Sequence, residues 1–255
     1  MLNRWHSVGR AQAAGIHLAC SVVLAAATAW LVFGVWYPWP FNLLSGGTEL
    51  FKLLVSVDVV LGPLLTLVIF NRAKPRAELR RDLSVIVLLQ LAAMGYGLYA
   101  MAVARPAVIA LEVDRFRVVS ALSVVETELA SAPAGMGELS WTGPRLLHTR
   151  QPSSAEKVDA VLMAQAGADL GMRPSFWLPW DAKARDSAKQ HALPASELAN
   201  RGGREAALLF DVAARAHLRV DQMGYVPILA RRSDWVALLN ASTGDLVGYA
   251  PVNGF

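Results

Sequence analysis

Three long apolar stretches near the N-terminus constrain this chain more than any other feature of its sequence. They run over residues 13–36, 50–70 and 83–104. A helix rises about 1.5 Å per residue, so a helix of any of these lengths crosses a hydrocarbon layer about 30 Å thick. The first stretch is too long for the apolar part of a cleaved signal peptide. The sequence therefore predicts three spanning helices, the first of them an uncleaved signal anchor.

The composition changes at Pro106, and the residues after it predict a folded domain outside the membrane. Of the whole chain, 55% is hydrophobic and 17% is charged, and the apolar excess lies before that proline. About 150 residues are enough to enclose one hydrophobic core. We therefore predict a three-span transmembrane domain at residues 1–105 and an α+β domain at residues 106–255.

Basic residues between the second and third stretches predict the direction of insertion. Short loops rich in Lys and Arg remain on the cytoplasmic side of a membrane. The loop after the first stretch has no basic residue, whereas the loop after the second has five. These five topology determinants are Arg72, Lys74, Arg76, Arg80 and Arg81. The sequence thus predicts a cytoplasmic N-terminus and a C-terminal domain on the outer side of the membrane, which is the periplasm if the host is a Gram-negative bacterium.

The distribution of charge argues against a nucleic-acid partner. Residues 1–105 carry nine Lys or Arg and four Asp or Glu, whereas residues 106–255 carry 15 and 16. A nucleic-acid-binding protein needs a basic patch on its folded domain. We therefore expect the partners to be the lipid bilayer and another protein.

Asp58 is the unusual residue of the second stretch. It lies near the middle of the bilayer, where a charged side chain costs about 2.5–3.5 kcal/mol on insertion scales. In the third stretch, Tyr96 lies at a similar depth and could donate a hydrogen bond, and Gln90 lies about two turns nearer the cytoplasm. Three interpretations remain open: a proton or ion site, a contact with a partner's spanning helix, or an interhelical hydrogen bond that fixes packing.

Gly62 and Pro63 follow Asp58 in the same predicted helix. Proline lacks the backbone N–H of the helical ladder, so Pro63 predicts a kink. Small residues at four-residue spacing, such as Ala93 and Gly97, allow helices to approach closely. The candidate intramembrane polar and packing site therefore consists of Asp58, Gly62, Pro63, Gln90 and Tyr96.

The outer domain shows a mixture of helical and strand patterns. Residues 107–120 predict one strand, and three short apolar runs at the C-terminus predict an antiparallel meander. Helices are predicted at residues 154–170, 181–191 and 204–218. The predicted fold class is a membrane protein with three N-terminal transmembrane α-helices, followed by an α+β extracytoplasmic domain with a C-terminal antiparallel β-meander.

The sequence contains no recognisable catalytic or ligand-binding motif. No nucleophile elbow, phosphate-binding loop or dinucleotide-binding fingerprint is present. None of the five histidines lies four residues from another, which is the spacing that a helical metal site needs. We therefore assign no catalytic, cofactor-binding or metal-binding residue. The aromatic residues of segment 176–180, Phe176, Trp177 and Trp180, fit the core, an interfacial anchor or a binding lip.

Several segments resemble one protein family in their order along the chain. One is V-D-V-V-L-G-P-L-L-T-L-V-I-F-N at residues 57–71, and the closing segment D-W-V-A-L-L-N-A-S-T-G-D-L-V-G-Y at residues 234–249 is another. Further segments lie at residues 74–83, 89–99, 113–119 and 140–147. All of them resemble the TfpX/TfpZ family of type IV pilin accessory proteins.

The resemblance implies a non-enzymatic inner-membrane protein that assists the stability or assembly of a cognate type IV pilin. It would act through its spans and its periplasmic domain. Two alternatives remain. A membrane-bound enzyme acting on pilin or on a lipid-linked substrate would need Asp114, Arg115, Arg117 and Arg145 to converge. A periplasmic ligand sensor would need a cytoplasmic domain to receive its signal, and the predicted cytoplasmic segments are short.

Overall fold

A computed structural model describes residues 9–71, 73–230 and 234–255 of the chain. It contains two compact units, the first comprising Met1–Trp36 and Gly47–Val103, and the second comprising Tyr37–Gly46 and Ala104–Phe255. The predicted boundary at residue 106 did not anticipate that Tyr37–Gly46, a loop between two spans, belongs with the C-terminal domain.

The first unit consists of three helices that are long and apolar enough to cross a membrane. They are Arg10–Trp36, Gly47–Ile69 and Arg76–Ala104, here called spans 1, 2 and 3. Span 3 begins at Arg76 rather than at residue 83, because the basic segment before the apolar stretch is already helical. The three predicted N-terminal membrane helices are thereby confirmed.

Span 2 contains a π-helical turn at Val57–Leu61, between α-helical segments Gly47–Ser56 and Gly62–Ile69. This turn ends two residues before Pro63. A π-helical turn shifts the hydrogen-bond ladder by one residue, so the helix continues past a proline that cannot donate to it. The irregularity that Pro63 predicts is therefore a widened turn on its N-terminal side.

The second unit is built around a mixed sheet of eight strands. Strands β4-β3-β1-β2-β6-β7-β8 lie side by side in that order, and β5 pairs with β6. The pairs β1–β3 and β2–β6 are parallel, and the other pairs are antiparallel. The strands are β1 Pro106–Glu112, β2 Arg115–Ser120, β3 Arg145–Thr149, β4 Trp177–Pro179, β5 Leu193–Pro194, β6 Met223–Leu229, β7 Trp235–Asn240 and β8 Leu246–Ala250.

The C-terminal meander is confirmed, but the single strand predicted at residues 107–120 is wrong. It is a hairpin, in which β1 and β2 pair from Glu112 opposite Arg115 back to Pro106 opposite Ser120. Val113 in the turn has a φ of 44°, in the left-handed region that β-branched residues rarely adopt. The exposed turn consists of Val113 and Asp114, whereas Glu112 at the end of β1 is buried, so the charges from Glu112 to Arg115 do not form the wet face of one long strand.

Helices and short 3₁₀ turns connect the strands. Helix α3, Ala182–His191, is capped by the Asp181 carboxylate, which accepts a hydrogen bond from the Ala184 backbone N–H at 2.9 Å. Helix α2, Lys157–Gln165, is shorter than predicted and ends before Gly167, which has a φ of +92°. The helices of this unit are α1 Phe41–Leu44, α2 Lys157–Gln165, α3 Ala182–His191, α4 Ala195–Ala199 and α5 Gly203–Arg215.

Tyr37–Gly46 contributes to the core of the second unit. Phe41 and Leu44 are buried in the same cluster as residues of β1, β6 and β7. The Phe41 ring meets the Tyr249 ring edge-on, with their centroids 5.5 Å apart. Spans 2 and 3 separate this loop from the rest of the unit along the chain. The second unit is therefore assembled from two segments that are distant in the sequence.

Candidate functional site

Asp58 lies in the π-helical turn of span 2 and faces spans 1 and 3 across a small cavity. Only 3% of its surface is exposed, although it is an acidic residue in an apolar helix. π-Helical turns occur frequently at functional sites, where they redirect one side chain relative to the regular helix. Asp58 therefore points toward the neighbouring helices of the bundle.

Gln90 of span 3 contacts span 2 beside Asp58. Its amide nitrogen donates a hydrogen bond to the backbone carbonyl oxygen of Asp58 at 3.3 Å. The Gln90 side chain also lies against Gly62, where an added Cβ would overlap its amide group. The structure thus brings together Asp58, Gly62 and Gln90 of the residues that the sequence singled out.

The acceptor atoms of this group lack donors. Within the described residues, neither carboxylate oxygen of Asp58 has a hydrogen-bond partner, and the same holds for the amide oxygen of Gln90. A buried polar atom without a partner costs about 1–3 kcal/mol. These oxygens are therefore a local cost to the stability of the three-helix unit.

Other polar contacts join the spans to one another. The His17 Nδ1 of span 1 lies 2.6 Å from the Thr66 Oγ1 of span 2. The Thr28 hydroxyl of span 1 donates to the Met94 sulfur of span 3 at 4.0 Å. Together with the contact of Gln90 to span 2, a polar interaction links each pair of spans.

A cavity of about 280 Å³ opens beside Asp58. Cys20 is exposed, so the cavity reaches the surface of the bundle on the side of span 1. A groove of about 640 Å³ between spans 2 and 3 also touches Gln90. The lining residues of the cavity are His17, Cys20, Ser21, Leu24, Asp58, Val87, Gln90 and Leu91.

The remaining predicted residues of the site lie apart from this cavity. Tyr96 is 75% exposed on span 3 and does not line the cavity. Pro63 is buried next to Gly62 and acts on the helix rather than on the cavity. Gln90 therefore lies where the sequence analysis expected Tyr96.

The predicted topology determinants lie at the start of span 3. Lys74 binds the Asp82 carboxylate at 2.6 Å, and this hydrogen bond raises the pKa of Lys74. Arg76, Arg80 and Arg81 are exposed. Arg72 lies outside the described residues.

Sequence analysis overlooked the polar face of span 1. His17, Ser21 and Thr28 all face inward, and Ser21 and Thr28 are buried. Their spacing of four and seven residues places them on one side of a helix. A polar stripe within an apolar stretch was thus the signal that could have identified them.

The four residues of the enzyme alternative lie in the second unit and do not converge. Arg145 pairs in register with Val108 at the start of β1, and its guanidinium donates to the Gly135 carbonyl oxygen at 2.8 Å. Arg115 lies past the other end of β1 and donates to Asp114 at 2.9 Å, which lowers the pKa of that carboxyl group. The polar groups required by that alternative are therefore at opposite ends of one strand.

Arg117 serves a structural role beside the same turn. It donates to Glu112 at 2.8 Å and pairs with Asp169 at 2.8 Å. Within the described residues, no group of three or more His, Cys, Asp or Glu side chains is arranged to hold a metal ion.

The aromatic segment 176–180 belongs largely to the core. Phe176 and Trp177 are buried, and the Trp177 indole donates to the Gly171 carbonyl oxygen at 2.9 Å. The Trp180 ring packs 5.8 Å from the Phe116 ring. These contacts favour the core interpretation over an exposed binding lip.

Comparison with known proteins shows that this chain is similar to fimbrial assembly proteins. The family model described as "Fimbrial assembly protein FimB" matches residues 4–46, which include span 1 and the loop Tyr37–Gly46 of the second unit. Two fimbrial assembly proteins of Dichelobacter nodosus are similar over 94% of this chain and 94% of their own length. The serogroup I protein is 30% identical over 241 residues, and the serogroup E1 protein is 32% identical over 244.

A third relative from the same organism covers a shorter region. The fimbrial assembly protein of serogroups C1 and C2 is 37% identical over 131 residues, which are 51% of this chain and all of that protein. No solved structure matches this chain.

Proposed function

Because this chain belongs to the family of fimbrial assembly proteins, we propose that it is an accessory factor of type IV pilus biogenesis in the bacterial inner membrane. It assists the stability or assembly of a cognate pilin, and it does so by binding rather than by catalysis. The narrower resemblance to the TfpX/TfpZ family supports the type IV assignment and the role of a pilin as partner.

The observation that carries this proposal is the similarity to fimbrial assembly proteins along 94% of the chain, combined with three membrane-crossing helices. A pilus subunit that waits in the membrane presents one apolar helix and one external head. A partner with spans and an outer domain has a surface for each part.

The exposed basic segment at the start of span 3 supports a cytoplasmic position for that loop. With the loop inside, the second unit lies in the periplasm, on the side where a pilin head is exposed. The proposed orientation therefore gives the outer domain access to the head.

Deletion of the gene in the source bacterium tests this function. We expect fewer surface fimbriae and a lower steady-state amount of pilin, both restored by the full chain expressed in trans. A deletion strain with unchanged fimbriae and unchanged pilin would contradict the proposal.

Co-purification tests the partner. The full chain, tagged after Phe255 and extracted in mild detergent, should retain pilin when both are expressed together. A strain that lacks the pilin gene provides the background. If pilin is absent from the wild-type eluate and from chemical cross-links to the tagged chain, the proposed partner is wrong.

A further inference from the structure

The groove between spans 2 and 3 has walls that are mainly aliphatic and one end that is charged. Span 2 lines it with residues four apart, among them Leu61, Leu65 and Ile69. Positions at this spacing lie on one side of a helix. Lys74 and Asp82 line the end beside the loop that joins the two spans. The groove is therefore amphiphilic, with its polar part at one end only.

Spans 2 and 3 touch near the middle of the groove and separate toward its charged end. Gln90 lies against Gly62, whereas Leu65 and Leu89 remain 45% and 65% exposed although they line the groove. Atoms beside an empty space lose the dispersion contacts that a filled space provides. In a membrane this groove is therefore filled by an apolar group.

The length of the groove matches one leaflet of a bilayer. Its lining on span 3 extends from Asp82 to Ala93, and this stretch of helix is about 17 Å long. Half of a hydrocarbon layer about 30 Å thick is about 15 Å. An acyl chain that begins at the charged end therefore reaches the opposite end of the groove.

The width of the groove favours an acyl chain over another helix. A volume of about 640 Å³ over about 17 Å of helix corresponds to a mean cross-section of about 38 Å², or a channel about 7 Å across. A helix with its side chains is about 10–12 Å across. An acyl chain has no side groups, so it can lie along the groove where a helix cannot enter.

The charged end suits the headgroup of an anionic phospholipid. The Lys74 Nζ lies 2.6 Å from the Asp82 carboxylate and 3.4 Å from the Glu78 carboxylate. An ammonium group has three donors, so a phosphate oxygen can be its third partner. Residues 74–82 carry four basic and two acidic side chains, and basic pockets between spanning helices bind anionic lipid headgroups.

We propose that this groove binds one anionic phospholipid, with an acyl chain between spans 2 and 3 and the phosphate at Lys74. The bound lipid fills the space between the two helices and connects them beside their loop. The inference requires only that the helices cross a membrane, and it goes beyond the proposed role in fimbrial assembly. Its tests measure lipid, so its failure is distinguishable from a failure of that role.

Native mass spectrometry of the full chain tests the binding. The chain is stripped of lipid in detergent and mixed with phosphatidylglycerol, or with diacylglycerol that has the same chains but lacks the phosphate. We expect one phosphatidylglycerol to remain bound at a collision energy that removes every other lipid, and diacylglycerol to dissociate at a lower energy. Equal dissociation of the two lipids, or no retained lipid, would overturn the proposal.

A bulky side chain in the groove tests the position of the acyl chain. Leu65→Trp should reduce the retained phosphatidylglycerol at least about tenfold, because the indole takes the space of the chain. Val68→Trp, at an exposed position of span 2 that does not line the groove, is the matched control and should retain the lipid. Equal retention by these two variants would place the lipid elsewhere and overturn the proposal.

A change of charge tests the position of the phosphate and does not depend on packing. Lys74→Gln should reduce retention about fivefold, since one basic residue near a lipid surface contributes about that factor. Arg80→Gln is the control, because Arg80 is exposed and does not line the groove. A larger loss in Arg80→Gln than in Lys74→Gln would contradict the assigned phosphate site.

Photochemical labelling distinguishes a lipid from a protein helix as the occupant. A phosphatidylglycerol with a diazirine at the end of one acyl chain should label residues near Gln90 and Ala93 in native membranes. A photoreactive residue in place of Leu89 should capture lipid, also when a pilin is co-expressed. Capture of the pilin instead, with loss of the lipid label, would assign the groove to a partner helix and overturn the proposal.

Discussion

At the scale of single residues, Arg173 connects several loops of the second unit. Its buried guanidinium binds Glu128 at 2.8 Å and Asp159 at 2.7 Å, and it stacks on the Phe176 ring. Glu128 also accepts a hydrogen bond from the Ser175 hydroxyl at 2.6 Å. One side chain thereby connects a 3₁₀ turn, helix α2 and the aromatic segment.

Removing this guanidinium should destabilise the domain. Arg173→Met leaves Glu128 in a largely buried position without its counterion, and we expect a loss of about 2–3 kcal/mol in the free energy of unfolding. Arg219→Met is the control, because it breaks an exposed ion pair with Asp221 and surface ion pairs contribute about 0–1 kcal/mol. Chemical denaturation of Arg173→Met and Arg219→Met in detergent compares their stabilities, and equal denaturation midpoints would contradict the prediction.

A second prediction concerns acidification. Arg150 binds Glu156 through two hydrogen bonds of 2.8 Å and, with Ser153, holds the pKa of the Glu156 carboxyl well below its usual range. A carboxyl group with a lowered pKa stabilises the folded state fully above its unfolded pKa, near 4.3, and loses this contribution as the pH falls toward its folded pKa. The difference in melting temperature between the native chain and Glu156→Gln should therefore shrink from about pH 5 to about pH 3. A constant difference would contradict this sign.

The residues around Asp58 show what a sequence can and cannot specify. A carboxylate in an apolar stretch is visible in the sequence, but its neighbour depends on the register between helices. Counting from the predicted start at residue 83 placed Tyr96 opposite Asp58. Span 3 begins at Arg76, and the true register brings Gln90 to that level.

At the scale of elements, the contact between spans 2 and 3 depends on a glycine. The Leu54 side chain lies directly over Gly97, where an added Cβ would overlap it. Gly95, on the same helix, has no atom within 4 Å of an added Cβ. The two glycines therefore provide a matched pair for testing how closely the spans must approach.

Gly97→Ile should separate spans 2 and 3, whereas Gly95→Ile should not. An engineered cysteine pair across the two spans, in a chain that carries Cys20→Ser, reports their distance. We expect its disulfide yield to fall several-fold in Gly97→Ile and to remain near that of the parent in Gly95→Ile. Similar yields in the two variants would show that the close approach is dispensable.

The loop Tyr37–Gly46 is an element whose role the sequence does not reveal. Aromatic residues beside an apolar stretch are typical of membrane-interface anchors, and Trp39 in this loop is largely exposed. Phe41 and Leu44, however, pack against strands that follow much later in the chain. Local patterning identifies a strand or a helix, but it does not identify partners so distant in sequence.

Adjacent leucines test the contribution of this loop to the core. Leu44 is fully buried and Leu43 is 44% exposed. Leu44→Ala should lower the free energy of unfolding of the second unit by about 2–5 kcal/mol, because it leaves a cavity in a packed core. Leu43→Ala should change it by less than about 0.5 kcal/mol. Thermal unfolding of both variants in detergent, followed by near-ultraviolet circular dichroism, decides between them.

At the scale of the whole molecule, the sequence predicted that three spans precede one folded domain. It did not predict the hairpin or the parallel strand pairings within that domain. Length and hydropathy specify three crossings, and period and turn residues specify the meander of β6, β7 and β8. The hairpin of β1 and β2 was missed because its turn lacks glycine and carries Val113 at a positive φ. Parallel pairings such as β1 with β3 join separate segments, and the residue pattern of one strand does not identify the other as its partner.

Orientation in the membrane is the remaining prediction at this scale. A fluorescent reporter that matures only in the cytosol, fused after Phe255, should stay dark, and alkaline phosphatase at the same position should be active. Replacing Lys74, Arg76, Arg80 and Arg81 with glutamine should weaken this preference, because these residues provide most of the basic charge of the loop. A bright reporter on the native chain would reverse the topology.

Phe41 and Leu44 pack against a sheet whose last strand ends at Ala250, so their burial is delayed until the end of the chain has been synthesised. At about 5–20 residues per second, the ribosome needs about 10–40 s to travel from this segment to β8. During that interval the two side chains lack the strands that will cover them. A nascent chain halted before β8 would therefore expose an apolar surface that the complete chain buries.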